Sequence, residues 1–316
     1  MKTHAQKPRP GRRRPAGPHL QRILVPTDLS RPAAQALRYA VPLARQVGGK
    51  ITLLHVLEWP VVPAEVGALM TDEARLTRDA EQAMADLADA AVPQELLGRL
   101  VVRVGRSYEA IAQAAQELKM DLIVQATHGR TGVRRVLLGS TAERVVRHAP
   151  CPVLTVPRGS TKPPPGRRAT GLAHRVNRIL VPVDFSPAAK AAVRYAAGLA
   201  RLLEARLALL HVLEPLPVSF ADYPDELAQL DAVTQADARA QLARLAAAVP
   251  AGIPTEQCLR PDPPRQGITA MAREWRSDLI VLPTRGLTGL KYIVLGSTAE
   301  AVVRHAPCPV LTLGQA

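Results

Sequence analysis

Apolar positions along the chain switch between two spacings, and the switching lays out a succession of strands and helices. Ile23 to Pro26 is a short continuous apolar run, suited to a strand buried on both faces. Ser30 can cap the helix that follows, and Pro32 suits its first turn. Ala33, Ala36, Leu37, Ala40, Leu43 and Ala44 then recur at helical spacing until Gly48-Gly49 stops them. The same reading predicts strands at Ile51 to Leu57, Leu100 to Val104, Asp121 to Ala126 and Pro152 to Val156. It predicts helices near 72–91, from Tyr108 to Leu118 and from about Ser140. Strands that alternate with helices imply an open parallel sheet of five strands with helices on both faces, because each crossover packs back on the sheet with one hand. Such sheets take ligands at the carboxyl ends of their strands, where the strand order reverses.

The series then repeats. Arg22-Ile-Leu-Val-Pro-Thr-Asp28-Leu-Ser30 returns 156 positions later as Arg178-Ile-Leu-Val-Pro-Val-Asp184-Phe-Ser186. Leu54-His55-Val56-Leu57-Glu58 returns as Leu210 to Glu214, Gly139-Ser-Thr-Ala-Glu143 as Gly296 to Glu300, and Arg147 to Thr155 as Arg304 to Thr312. A period this long is duplication of a whole domain, not a solenoid repeat of about 20–50 residues. The expected boundaries are a tail over 1–20, a first domain over 21–157, a linker over 158–175 and a second domain over 176–314. Lys162-Pro-Pro-Pro165-Gly-Arg-Arg reads as a stiff, extended connector. The matching last strands, Pro152–Val156 and Pro309–Leu313, are each an edge that would be relieved by pairing with the other, which makes the chain a pseudo-dimer of its own halves. A homodimer of whole chains is the variant of that expectation.

Composition agrees with two folded domains in 316 residues: 47% hydrophobic, 22% charged, and only 3% aromatic, so the core is aliphatic. The net charge of +14 is misleading until it is located. Residues 1–20 hold six basic and no acidic residues, and 157–175 hold five basic and none acidic, so eleven of the fourteen excess charges lie outside the folded parts. Such blocks with Pro and Gly read as solvated segments. The tail adds at most weak, salt-sensitive attraction to nucleic acid. Cys151, Cys258 and Cys308 form no metal-type spacing and fit a reducing compartment. With no apolar run long enough to span a membrane, the expected location is the cytoplasm.

Candidate chemistry concentrates in Gln125-Ala126-Thr127-His128-Gly129-Arg130-Thr131-Gly132 and, after Val133 to Leu138, Gly139-Ser140-Thr141-Ala142-Glu143. Glycines let backbone N–H groups crowd round an anion, the helix near Ser140 offers unpaired N–H groups and a positive dipole end, and His128 and Arg130 add donors. Phosphate is the natural guest. The competing reading is local: Ser140 with Glu143, and Ser297 with Glu300, are capping boxes that any helix start can use.

Four motifs in register, twice over, carry a resemblance. Val-Pro-x-Asp on the first strand, Leu-His-Val on the second, Gly-x-x-Gly, nine residues and Gly-Ser after the fourth, and His-Ala-Pro-Cys-Pro-Val-Leu on the fifth resemble the universal stress protein family, nearly end to end. The resemblance implies a tandem, Rossmann-like fold of the adenine nucleotide alpha hydrolase type and a pocket for ATP, with ADP, AMP and an accompanying Mg2+ as variants. It implies that Pro26, Asp28 and Val56 hold the adenosine end, with Thr27 in the same nucleotide site. It implies that His128, Gly129, Gly139, Ser140 and Thr141 hold the phosphates, and Gln125, Ala126 and Arg130 complete the nucleotide site. In the second copy the matching residues are Pro182, Asp184, Val212, Arg285, Gly286, Gly296, Ser297 and Thr298. The copies depart from the family pattern unequally. Ala126 stands for its first glycine in one copy and Pro283 in the other, which removes an N–H and fixes φ. Asp262 stands opposite Gly105 and would repel phosphate. The second site is therefore expected to be the weaker.

Three functions follow from these readings. One is a nucleotide-responsive stress or signalling module without a dedicated reaction. Another is an enzyme, for which Ser-Gly-Gly-x-Asp-Ser, His-x-Gly-His and Walker Gly-Lys-Ser/Thr motifs are missing; slow ATP hydrolysis is its weakest form. The last is a nucleotide-free docking protein. His55 and His211 read as packed or hydrogen-bonded strand residues, Cys151 and Cys308 as small buried hydrophobes, and Tyr39 and Tyr195 as structural.

Overall fold

A computed structural model describes residues 18–30, 33–58, 73–127, 138–157, 175–215, 224–284 and 295–314. The first half runs β1 (Arg22–Thr27), α1 (Ala33–Val47), β2 (Lys50–Leu57), α2 (Glu73–Ala91), β3 (Leu97–Val104), α3 (Ser107–Glu117), β4 (Leu122–Ala126), α4 (Ser140–His148) and β5 (Val153–Val156). The second runs β6 (Arg178–Pro182), α5 (Pro187–Leu203), β7 (Arg206–Leu213), α6 (Pro224–Ala247), β8 (Thr255–Pro261), α7 (Pro264–Glu274), β9 (Leu279–Pro283), α8 (Ser297–His305) and β10 (Val310–Leu313).

All ten strands join one sheet in the order β3-β2-β1-β4-β5-β10-β9-β6-β7-β8. Every neighbouring pair is parallel except β5 with β10, which run antiparallel with Val310 opposite Thr155, Leu311 opposite Leu154 and Thr312 opposite Val153. The two edges expected to meet are thus hydrogen-bonded to each other, and the sheet has a pseudo-twofold seam at its centre. Because side chains alternate across a strand, Ile23 and Val25 face the helix layer of α1, α2, α5 and α6, while Leu24 faces that of α3, α4, α7 and α8. Each face carries one apolar core that crosses the seam. Polar contacts cross it too: Tyr39 donates its hydroxyl hydrogen to the carbonyl of Asp278 at 3.2 Å, and Gln46 Nε2 donates to the carbonyl of Leu203 at 3.2 Å.

Local chemistry sets the element ends. The Ser30 hydroxyl accepts from Ala33 N–H at 3.3 Å and that of Ser186 from Ala189 N–H at 3.1 Å, capping α1 and α5. After α1 the chain turns through Gly48 at φ +68°, and a Cβ on Gly49 would lie 2.5 Å from the carbonyl oxygen of Leu20. Leu20, at the end of the segment read as a tail, is only 2% exposed. Strand β3 starts three residues before the expected Leu100, with an irregularity at Gly98 where the pairing slips from Ile51–Leu97 to Thr52–Arg99. Pro32 and most of the expected tail and linker lie outside the described residues. No described helix is long and apolar enough to cross a membrane.

The cysteines sit as small hydrophobes on or against the strands. Burial first, and the nearby Asp121 carboxylate second, push the Cys151 thiol up to about 12; burial and Asp278 raise Cys308, and burial and Glu256 raise Cys258. A raised thiol pKa leaves little thiolate, the reactive form, at neutral pH. Alkylation of the native protein at pH 8 is expected to label half-buried Cys258 first and slowly, and buried Cys308 last. Mass spectrometry showing Cys308 labelled as fast as a free thiol would contradict this placement.

Candidate functional site

Within each half the sheet order reverses between the first and fourth strands, because β1 leads outward to β2 while β4 lies on its other side. A cleft opens at that point. It has a volume of about 260 Å3 and is lined by the ends of β1, β2 and β4 and the heads of α3 and α4. Of the residues expected at the site, Pro26, Thr27, Asp28, Val56, Gln125, Ala126, Gly139, Ser140 and Thr141 all line it. His128, Gly129 and Arg130 lie outside the described residues.

The end of β1 is shaped to place Asp28. Leu29 adopts φ 62°, a left-handed conformation that is costly for a branched side chain, and two short bonds hold it. Thr27 Oγ1 accepts from Leu29 N–H at 3.0 Å, and Asp28 Oδ1 accepts from Ser30 N–H at 3.0 Å. Beneath them, His55 Nδ1 lies 2.8 Å from the carbonyl of Thr27. A carbonyl only accepts, so Nδ1 carries the proton there, and His55 is a hydrogen-bonded strand residue as expected. On the other side, Gly139 N–H donates to the carbonyl of Thr127 at 2.8 Å, drawing together the two ends of the intervening segment.

The head of α4 departs from the expected capping box. Gly139, with φ −60° and ψ 142°, occupies the N-cap, Ser140 is the first helical residue, and among the described residues no side chain caps the helix. Glu143 pairs with Arg147 one turn on, and Glu300 with Arg304 does the same in α8, where Gly296 takes the cap. The box fails because a glycine already fills the position from which a serine would reach back. Ser140, Thr141 and Ala142, whose N–H groups have no intrahelical partner, line the cleft.

Glu58 belongs to the cleft and was not singled out in the sequence, although its recurrence as Glu214 was visible. Its Oε1 accepts from Ser107 N–H at 2.7 Å, so a carboxylate just past the end of β2 caps α3 across 49 residues. Hydrogen bonding from Ser107, through its side chain first and its backbone second, holds Glu58 below the usual carboxylate range.

The second cleft, of about 330 Å3, is built from the same places by Pro182, Asp184, Val212, Gly296, Ser297 and Thr298. Arg285 and Gly286 lie outside the described residues. Space is retained, and so are Asp184, Glu214, Ser297 and Thr298, but three polar groups are lost. Val183 replaces Thr27, Leu282 replaces Gln125, and Pro264 replaces Ser107, so that position has no N–H to offer Glu214. The charge expected of Asp262 needs correction: Arg260 Nε holds its Oδ2 at 2.9 Å, and the carboxylate is not part of the cleft wall. Arg260 also holds Glu274, so the charge is shared and not cancelled, but it lies off the cleft wall, and the inequality rests chiefly on the lost donors and on Pro283. Among the described residues no group of His, Cys, Asp and Glu side chains could hold a metal ion.

The sequence model of the universal stress protein family matches residues 19–157 and again 175–313. The chain belongs to the universal stress protein family. A universal stress protein of Methanocaldococcus jannaschii is 31% identical over 144 residues, covering 43% of this chain and 81% of that protein. One of Thermus aquaticus is 37% identical over 134 residues, covering 42% of this chain and 95% of that protein. Both relatives match about one half, as expected for a duplicated universal stress protein. The crystal structure of a universal stress protein from Archaeoglobus fulgidus superposes on 94% of this chain and 98% of its own with a TM-score of 0.64 at 22% identity, which speaks to the fold alone.

Proposed function

We propose that this universal stress protein is an adenine-nucleotide-binding stress-response or signalling module whose principal site is the first cleft. The observation that carries the reading is the head of α4, which presents uncapped N–H groups to a cleft that Asp28 lines at the reversal of strand order. N–H groups and the dipole at a helix start suit phosphate oxygens, and a carboxylate suits the hydroxyl or amine donors of a nucleoside. ATP fits this division of labour, with ADP or AMP as shorter occupants. Mg2+ would travel with the phosphates, since the described residues supply no cage for it. The proposal gives the chain no dedicated reaction and places it in the cytoplasm. It treats 21–157 and 176–314 as its two domains, and the paired halves as doing within one chain what a dimer of single domains would do.

Titration calorimetry with ATP, ADP and AMP tests the reading. Saturable binding that weakens as phosphates are removed is expected, with phosphate release no faster than in the absence of protein. Equal heats for ATP and for buffer would reject the nucleotide, and rapid multiple turnover would reassign the chain to the enzymes.

A further inference from the structure

Gln125 is a buried amide, 4% exposed, on the floor of the first cleft. Its Nε2 donates to the carbonyl of Ala142 at 2.9 Å and lies 3.4 Å from Oγ1 of Thr155. Because a carbonyl cannot donate, the nitrogen must face Ala142, and the orientation of the amide is fixed. Its Oε1 is thereby turned away from α4. Among the described residues no donor reaches that oxygen, and Gln125 lines the cleft. An amide oxygen in a nearly buried side chain is costly unless something donates to it.

The strand order says what part of a ligand would. The cleft runs from Val56 on β2, past Asp28 beyond β1, to Gln125 and Ala126 on β4 and then to the head of α4. With phosphates at α4 and the base towards β2, the sugar lies between them, over β4. We infer that Gln125 is a specificity-determining residue that accepts a hydrogen bond from a ribose hydroxyl and so selects ribonucleotides over deoxyribonucleotides at the first cleft. This rests on the nucleotide reading and adds to it a residue that reads the sugar. The second cleft has no such selection: Leu282 holds the position with an apolar side chain, and the threonine matching Thr155, Thr312, donates its hydroxyl hydrogen to the carbonyl of Val153 instead.

The test is titration of the full chain with ATP, 2′-deoxy-ATP and 3′-deoxy-ATP. A site built to bond a hydroxyl rejects the analogue that lacks it, so the unaltered protein should bind one of the two deoxy analogues about tenfold more weakly than ATP. Gln125→Met keeps the side-chain volume and removes the acceptor. It should lose about tenfold for ATP and leave that analogue within about twofold, bringing the ratio close to one. Equal binding of all three nucleotides by the unaltered protein overturns the inference without any variant. So does a ratio that survives in Gln125→Met. If the unaltered protein binds none of the three, the nucleotide reading itself falls and this inference with it.

Discussion

Replacing Gly139 with tryptophan should abolish most ATP binding by this chain, whereas the same change at Gly296 should leave it nearly intact. Both glycines cap helices at the phosphate end of a cleft, and both have backbone angles that any residue adopts, φ −60° with ψ 142° and 144°. Among the described residues a Cβ on Gly296 meets the carbonyl of Thr284 at 3.4 Å, an ordinary van der Waals contact. An indole at the head of α4 would fill the space in front of its N–H groups, and a loss of about a hundredfold, or about 2.8 kcal/mol, is expected. At Gly296 the loss should stay below about threefold, because the second cleft already lacks the groups supplied by Thr27, Ser107 and Gln125 in the first. Calorimetry on the two variants, with circular dichroism to show that both fold, decides it. Equal losses, or the reverse order, would show that the second cleft has been misread.

The seam should make the halves fold as one body. Leu154 is 2% exposed on β5, where it lies opposite Val124 on one side and Leu311 on the other. Leu154→Ala leaves a cavity in the core that crosses the seam, at a cost of about 2–5 kcal/mol. That is a large share of the stability of a typical domain, about 5–15 kcal/mol. Thermal unfolding of the variant is expected to remain a single transition, shifted down as a whole. Leu100→Ala on the outer strand β3, where the side chain is 40% exposed, should shift it little. Two transitions in the Leu154 variant, one unmoved, would mean that the second half does not depend on the seam. Independent tumbling of the halves in NMR relaxation would go further and remove the pseudo-dimer.

Much of this was legible because burial imposes pattern. The inner strands, buried on both faces, read as apolar runs, and α1 announced itself by its spacing, its serine cap and its glycine stop. The legible parts of the site were those carried by contiguous residues: Pro26 to Asp28, Gln125 to Ala126 and Gly139 to Thr141. Strand β3 began too late in the sequence because an edge strand is half exposed, so Gly98 and Arg99 interrupt the apolar pattern without breaking the ladder. The caps of α4 and α8 were misplaced by one residue, since Ser-x-x-Glu looks the same whether the serine is the cap or the first helical residue. Glu58 was missed because its partner Ser107 is 49 residues away, and only the fold brings a carboxylate from the end of β2 to the start of α3. The charge of Asp262 was misjudged for the same kind of reason: Arg260, two residues before it on β8, pairs with a group that the sequence left alone, and with Glu274 as well.

The most direct test of the central claim is the mass spectrum of whatever small molecule is released on denaturing protein purified gently, without added nucleotide. The account predicts an adenine nucleotide, near one per chain and lost in the Gly139→Trp variant. Protein that refuses ATP in titration and releases no nucleotide, or that releases a ligand without a phosphate, would contradict it.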